Sequence, residues 1–200
     1  MADVGRLVTL LGLARHWFSA ANAAAVTWAI GLTLFAIVLR GSRTIDAQIF
    51  ALRDMAEDIT GVDLSENMVE IAHEKDLYET LYVAEAVDFL DDNDDEPFDL
   101  IVATDVLPYM GALEALFFGA VDNLVPGGLL IFSSETLPAE TFAGRDFMVG
   151  PHQRFAHAES YLRDRLAATG FEIVEVGDIT VRLEEGEPIA GHLVVARFKP

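Results

Sequence analysis

The sequence predicts an α/β fold with a mostly parallel sheet and a C-terminal antiparallel hairpin. Short apolar runs of strand length recur along the chain, and most are followed by a segment whose apolar residues have helical spacing. Two longer strand-like runs near the C-terminus are separated by a turn rich in Gly and Pro. Because strands that alternate with helices form parallel sheets with covered faces, these patterns together predict the fold class.

The composition limits the kind of protein that the chain encodes. Its 200 residues suffice for one domain, and 52% hydrophobic with 23% charged residues is typical of a globular protein. The absence of cysteine excludes disulfides and thiolate metal sites. The net charge of -20 argues against nucleic acid, or an anionic membrane surface, as a partner held by charge.

The charge divides the chain near Ala51. Residues 1–50 carry a net +2 and residues 51–200 carry -22. The first part contains 23 consecutive uncharged residues, 17–39, a length that could cross a bilayer. We interpret residues 1–50 as an atypical apolar segment: a membrane anchor, a buried helix or a start that is not natural to the domain. A cytoplasmic location is expected, with anchoring through residues 17–39 as the alternative.

The elements of the domain at 51–200 are predicted in a regular order. Helices are expected at 47–57, after the capping residue Ser65, after residue 84, before Pro126-Gly127-Gly128, and before the C-terminal stop Gly170. Residues 138–157 are expected to be a long connection, and the motif GEPIAG to be the turn of the final hairpin. The first four predicted strands are parallel and the last two antiparallel: 59–63, 81–84, 99–103 and 128–133, then 171–181 and 190–198.

Three acidic residues lie at the carboxyl ends of predicted strands: Asp63, Glu85 and Asp105. Ligands of open α/β sheets bind beyond the carboxyl ends of the strands. There Asp63 could accept hydrogen bonds from both ribose hydroxyls of a nucleotide, and Glu85 from an adenine amino group, with the Ala86 amide facing the ring. Asp105 could face a cationic group of a ligand. The alternatives are a surface Asp favoured by a helix dipole for Asp63, and a loop acid capping a turn for Asp105.

The segments GVDLSENMVEIA, AEAVDFL, FDLIVATDVLPYM, LVPGGLLIFSSE and AATGFEIVEV occur in this order. This set resembles class I S-adenosylmethionine (SAM)-dependent methyltransferases, which have a Rossmann-like sheet. More narrowly it resembles bacterial methyltransferases often fused to tetratricopeptide repeats. The resemblance covers roughly 150 residues and implies SAM as the cofactor. It also implies that Asp63 binds ribose, Leu64 and Met68 line the adenosine pocket, Glu85 and Ala86 hold adenine, and Asp105 faces the methionine end.

One motif of that family is missing from the sequence. The family begins its sheet with an acid and a loop of the form E/D-x-G-x-G-x-G, in which glycines let the backbone approach the methionine part of SAM. Here the corresponding residues read IVLRGSRTIDAQIF, where Gly41 alone could match a loop glycine and Arg40 lies near the place of the acid. We therefore expect this chain to bind SAM poorly, or residues 1–50 not to represent the natural start.

The catalytic residues remain unknown from the sequence, with His157 and Tyr161, near Arg154, as candidates. A His in the long connection before the last helix could act as a general base. The alternative is a structural His packed under a lid. Five scattered histidines without a ligand motif predict no metal site.

The predicted function is SAM-dependent methyl transfer, impaired in this chain, to an unidentified acceptor that is expected to be a small molecule. The alternatives are a non-catalytic binding or regulatory module and a nicotinamide-dependent oxidoreductase. The latter would need its own Gly-rich turn and a Tyr/Lys pair, and the sequence shows neither.

Overall fold

The computed structural model describes residue 56 and residues 58–94 and 96–200. The predicted helix at 47–57, the uncharged segment 17–39 and the Gly41 region lie outside or almost wholly outside these residues. The strands are β1 (Thr60–Asp63), β2 (Thr80–Val83), β3 (Phe98–Ala103), β4 (Leu124–Glu135), β5 (Phe147–Val149), β6 (Phe155–His157), β7 (Phe171–Glu184) and β8 (Glu187–Phe198). The helices are α1 (Glu66–His73), α2 (Ala86–Asp92), α3 (Glu114–Asp122), the single turn α4 (Ala139–Phe142) and α5 (Glu159–Ala168), with a 3-10 turn at Leu107–Tyr109.

The strands form two sheets within the described residues. In the smaller sheet β1 pairs with β2 in parallel. In the larger sheet β4 is central: β3 pairs with it in parallel, and β8 pairs with it antiparallel and carries β7 on its other side. The prediction of an α/β fold with parallel strands and a C-terminal antiparallel hairpin is therefore confirmed.

The main core lies between the larger sheet and helices α2, α3 and α5. Apolar residues of β3, β4 and β8 meet those of the helices there, and ring contacts such as Phe117 with Phe132, 5.5 Å between centroids, fill it. Asn123 fastens α2 to α3, because its side-chain amide donates to the Leu90 and Gly119 carbonyl oxygens at 2.7 and 2.9 Å. The core thus fixes the strands whose carboxyl ends carry the candidate site.

The Pro126-Gly127-Gly128 motif has a different role from the one predicted. Helix α3 ends at Asp122, and the motif lies inside β4, which begins at Leu124. The pairing with β3 shifts there from Phe98↔Leu124 to Leu100↔Leu129, so the motif forms a bulge. The motif was predicted to end a helix, but it lies within a strand because β4 pairs with β3 on both sides of it.

The final hairpin also turns earlier than predicted. Its tight turn is at Glu185 and Gly186, which have φ of 52° and 90°, and Glu184 pairs directly with Glu187. Most of the GEPIAG motif is therefore strand. Ser65 is the N-cap residue of α1 as predicted, but its side chain makes no capping hydrogen bond.

The predicted long connection at 138–157 contains regular structure. After α4, strands β5 and β6 form a short antiparallel hairpin, and β6 pairs in parallel with the end of β4 through Ala156 and Glu135. Its apolar residues pack on the loop after β3: a Cβ added to Gly111 would lie 2.8 Å from the Phe147 ring. This hairpin places residues 150–154 beside the carboxyl end of the larger sheet.

Candidate functional site

Asp63 is the last residue of β1 and is 2% exposed. Its Oδ1 accepts a hydrogen bond from the Ser65 backbone amide, which orients the carboxylate at the start of α1. Because β1 and β2 are parallel and Asp63 pairs with Val83, the carboxyl ends of both strands lie at the same edge. A buried carboxylate held at this edge has the position expected of a ribose-binding acid.

Glu85 follows β2 and is the N-cap of α2. Its Oε2 accepts from the Val87 and Asp88 backbone amides at 2.7 and 3.2 Å. This capping bond fixes the side chain and uses one carboxylate oxygen for the helix. Ala86 is buried as the first residue of α2.

The two apolar residues of the predicted adenosine pocket have opposite environments. Leu64 is 73% exposed at the carboxyl edge next to Asp63, whereas Met68 is fully buried in α1. The exposed Leu64 is accessible to a ligand, and Met68 supports the helix beneath.

Asp105 lies just after β3, where the backbone has φ of 59°, and its amide donates to Ser133 Oγ at 2.8 Å. Arg182 of β7 approaches its carboxylate, with Nη1 3.5 Å from Oδ1. Arg182 also donates from Nη1 to Glu135 Oε1 and, at 3.0 and 2.9 Å, from Nε and Nη2 to Glu184 Oε2. Burial raises the pKa of Asp105 above its ordinary value of 3.8, although Arg182 and Arg154 lower it in part.

Arg154, the residue immediately before β6, is the second cation beside Asp105. Its Nη1 lies 3.7 Å from Asp105 Oδ1, and its Cζ lies 4.9 Å from the centroid of the Tyr109 ring. That separation permits an ion pair but is too long for a hydrogen bond. Nη1 is buried and makes no hydrogen bond within the described residues.

His157 is fully buried at the end of β6. Its Nε2 lies 3.0 Å from the carbonyl oxygens of both Met110 and Gly111, and its Nδ1 lies 2.9 Å from Ser134 Oγ. Since carbonyl oxygens only accept, Nε2 carries the proton. Burial lowers the pKa of His157 below its ordinary 6.5, and the two backbone contacts offset only part of this effect.

Tyr161 of α5 is 3% exposed and lies against the ring of His157, with 6.0 Å between centroids. Its hydroxyl accepts from the Leu113 amide at 2.8 Å and donates to Glu114 Oε2 at 3.0 Å. Burial is the largest cause that raises the pKa of Tyr161 to about 12. Both catalytic candidates therefore hold the 110–114 loop through their polar atoms.

Sequence reasoning missed the charged side chains near Asp105, which are Glu135, Arg182 and Glu184, and the Tyr109 ring beside Arg154. Arg182 was detectable in principle, since it is the one Lys or Arg between Phe171 and Leu193 in an acidic stretch. Its contacts with Asp105 and Glu135 were not, because those residues lie 77 and 47 positions earlier in the chain.

Residues 47–130 match a family described as "Methyltransferase domain". No curated protein sequence matches the chain.

Solved structures of methyltransferases share the fold. A SAM-dependent methyltransferase from Methanosarcina mazei aligns with a TM-score of 0.56 and 16% identity, over 75% of this chain and 86% of that chain. The N-methyltransferase NodS from Bradyrhizobium japonicum, in complex with S-adenosylhomocysteine (SAH), aligns with a TM-score of 0.57 and 20% identity, over 75% and 71%. The [4+2]-cyclase SpnF also aligns, with a TM-score of 0.59 and 18% identity, over 76% and 71%.

The domain match over residues 47–130 and the shared fold agree with the predicted class, the SAM-dependent methyltransferases, and with SAM as the predicted cofactor. Among residues 58–94 and 96–200, no helix is long and apolar enough to cross a membrane.

Proposed function

We propose that this chain binds SAM at the carboxyl edge formed after β1, β2 and β3, and transfers its methyl group to a small-molecule acceptor. The observation that carries the proposal is the buried carboxylate of Asp63, fixed by its own loop at the edge where Glu85 also lies. We also propose that the chain is related to the bacterial methyltransferases often fused to tetratricopeptide repeats.

Each predicted site residue has a role in this arrangement. Asp63 accepts from the ribose hydroxyls, Leu64 covers the adenosine beside it, and Met68 supports α1 from below. Glu85 and Ala86 receive the adenine at the start of α2. Asp105 faces the methionine end, where a carboxylate stabilises the ammonium and sulfonium charges.

Methyl transfer from SAM is a displacement at carbon, so the protein contributes mainly the alignment of the acceptor with the sulfonium. In this proposal His157 and Tyr161 are positioning residues, because their polar atoms already bind the 110–114 loop. A base is needed only for an acceptor that must lose a proton.

The test is the isosteric substitution Asp63→Asn, which places an amide where the ribose hydroxyls need an acceptor. Leaving buried polar groups unpaired costs about 1–3 kcal/mol, so we expect SAM binding to weaken by several-fold to a hundredfold. Equilibrium dialysis with labelled SAM, extended to millimolar concentrations, measures the ratio. The matched control is Asp91→Asn on the exposed end of α2.

Equal affinity of the Asp63→Asn and Asp91→Asn variants would remove Asp63 from the site. The alternative function is a non-catalytic module, favoured by the sequence near Gly41. SAM binding without SAH production, across a broad acceptor screen, would favour that alternative.

A further inference from the structure

The geometry points to an oxyanion subsite at Arg154, so that the methyl acceptor carries a carboxylate or phosphate held by this guanidinium beside Tyr109. This inference rests on the proposed function, because it specifies the acceptor of the same site.

Arg182 already binds carboxylates of the protein. Its Nη1, Nε and Nη2 atoms donate to Glu135, Glu184 and, at 3.5 Å, Asp105, and its side chain is 10% exposed. Four of its five N–H donors therefore face protein carboxylates, which leaves Arg182 little capacity for a ligand.

Arg154 is not committed in this way. Its one ion pair, to Asp105, is 3.7 Å long, and its buried Nη1 has no hydrogen bond in the part of the chain that the structure describes. Its side chain is 18% exposed, more than that of Arg182. A guanidinium offers several donors in a plane and pairs best with a carboxylate or phosphate through two parallel hydrogen bonds.

The backbone holds Arg154 in a defined place. The Gly150 amide donates to the Arg154 carbonyl at 2.7 Å, and the Gln153 amide donates to the Gly150 carbonyl at 3.1 Å. The Tyr109 ring lies against the guanidinium of Arg154, and Tyr109 remains 51% exposed. The proposed subsite thus consists of a guanidinium, whose backbone is held by hydrogen bonds, and an exposed aromatic ring beside it.

SAM binding would strengthen this subsite. In the proposed function Asp105 faces the cationic end of SAM, so its charge is then shared with the ligand. Arg154 would be left near a second positive charge, which an anionic group on the acceptor would offset. Anion binding and SAM binding are therefore expected to support each other.

The test compares three ring compounds of similar size: benzoate, phenyl phosphate and benzamide. Isothermal titration into the free protein, and again with added SAM, measures their affinities. Hydrogen bonds to charged groups are the strong ones, so we expect benzoate or phenyl phosphate to bind at least about tenfold more tightly than neutral benzamide. Whichever anion binds better identifies the headgroup.

The variant Arg154→Gln should abolish this preference, and Arg154→Lys, which keeps the charge without the fork, should retain part of it. The matched control is Arg163→Gln, an exposed arginine of α5 paired with Glu159. Circular dichroism confirms folding, and the wild-type comparison stands even where a variant does not fold.

Equal affinities of wild-type protein for the three compounds, or a preference that survives in Arg154→Gln, would overturn the inference. SAM dialysis of the same proteins separates the two proposals. SAM binding without anion preference rejects the subsite alone. Anion preference without SAM binding rejects the proposed function but retains an anion site at Arg154.

Discussion

At the scale of single residues, burial decides which polar groups are available for chemistry. His157 and Asp105 both lie close to the carboxyl end of the larger sheet, yet His157 is fully enclosed whereas the Asp105 side chain is 37% exposed. Both ring nitrogens of His157 already contact oxygen atoms of the protein, so this side chain holds its neighbours in place. Its contribution to stability should therefore depend on pH.

We expect the stability contributed by neutral His157 to be lost in acid. Its folded pKa is lowered, so the unfolded chain binds more protons between that pKa and the ordinary 6.5. The contribution is complete above 6.5 and declines as pH falls from 6.5 through the folded pKa. The unfolding free-energy difference between wild type and His157→Gln, from urea titrations between about pH 5 and 8, should therefore shrink in acid.

The exposed residue His73 gives the control, since His73→Gln removes an imidazole without opening the core. A wild-type advantage over His157→Gln that stays constant across the pH range would show that protonation of His157 is not resisted by the fold.

At the scale of elements, the C-terminal hairpin depends on close contact between three strands. Gly191 of β8 pairs with Glu135 of β4 on one side and Ile179 of β7 on the other. A Cβ at this position would lie 2.3 Å from the Ser134 carbonyl oxygen and 2.3 Å from Val181 Cγ2. Any side chain here would therefore have to separate β8 from β4, next to Glu135.

The substitution Gly191→Ala should accordingly destabilise the protein. Forcing an extra methyl group into a filled site costs typically about 1–3 kcal/mol, and here the nearest obstacle is backbone, which yields little. The control is Gly150→Ala, whose added Cβ would be 3.4 Å from its nearest neighbour. Urea unfolding measures both, and a Gly191→Ala variant as stable as Gly150→Ala would contradict the strand spacing.

At the scale of the whole molecule, the described residues assemble the adenosine half of the proposed site more completely than the methionine half. Asp63 and Glu85 follow a parallel strand pair, and Asp105 follows the next strand. The loop that contacts the methionine part in the resembled family corresponds to residues near Gly41, outside the described part. Its sequence still supports a prediction about affinity.

We expect the 200-residue chain to bind SAM in the millimolar rather than the micromolar range. In the correspondence we propose with the resembled family, Arg43 and Ile45 would take the place of loop glycines, and Arg40 would add positive charge near the place of the acid. Loss of a charge partner and gain of a like charge each cost on the order of a few kcal/mol in a partly buried site. Low-micromolar retention of labelled SAM in equilibrium dialysis would contradict this interpretation of the first fifty residues.

The sequence by itself determined the fold class, the six main strands and the three strand-end acids. These depend on local patterns: apolar runs of strand length, helical spacing between them, and Gly170, whose φ of 88° ends α5 as predicted. Asp63 and Glu85 could be predicted to lie at one edge of the sheet, because parallel strands end at the same edge.

Only the tertiary structure decided the β5–β6 hairpin, the bulge in β4 and the charged cluster around Asp105. The hairpin strands have three residues each, too few to show a period, and they form where β6 pairs with the end of β4. Arg182 meets Asp105 across 77 positions of sequence. Such contacts depend on strand order and register, which arise when distant segments pack and which no local pattern in the sequence encodes.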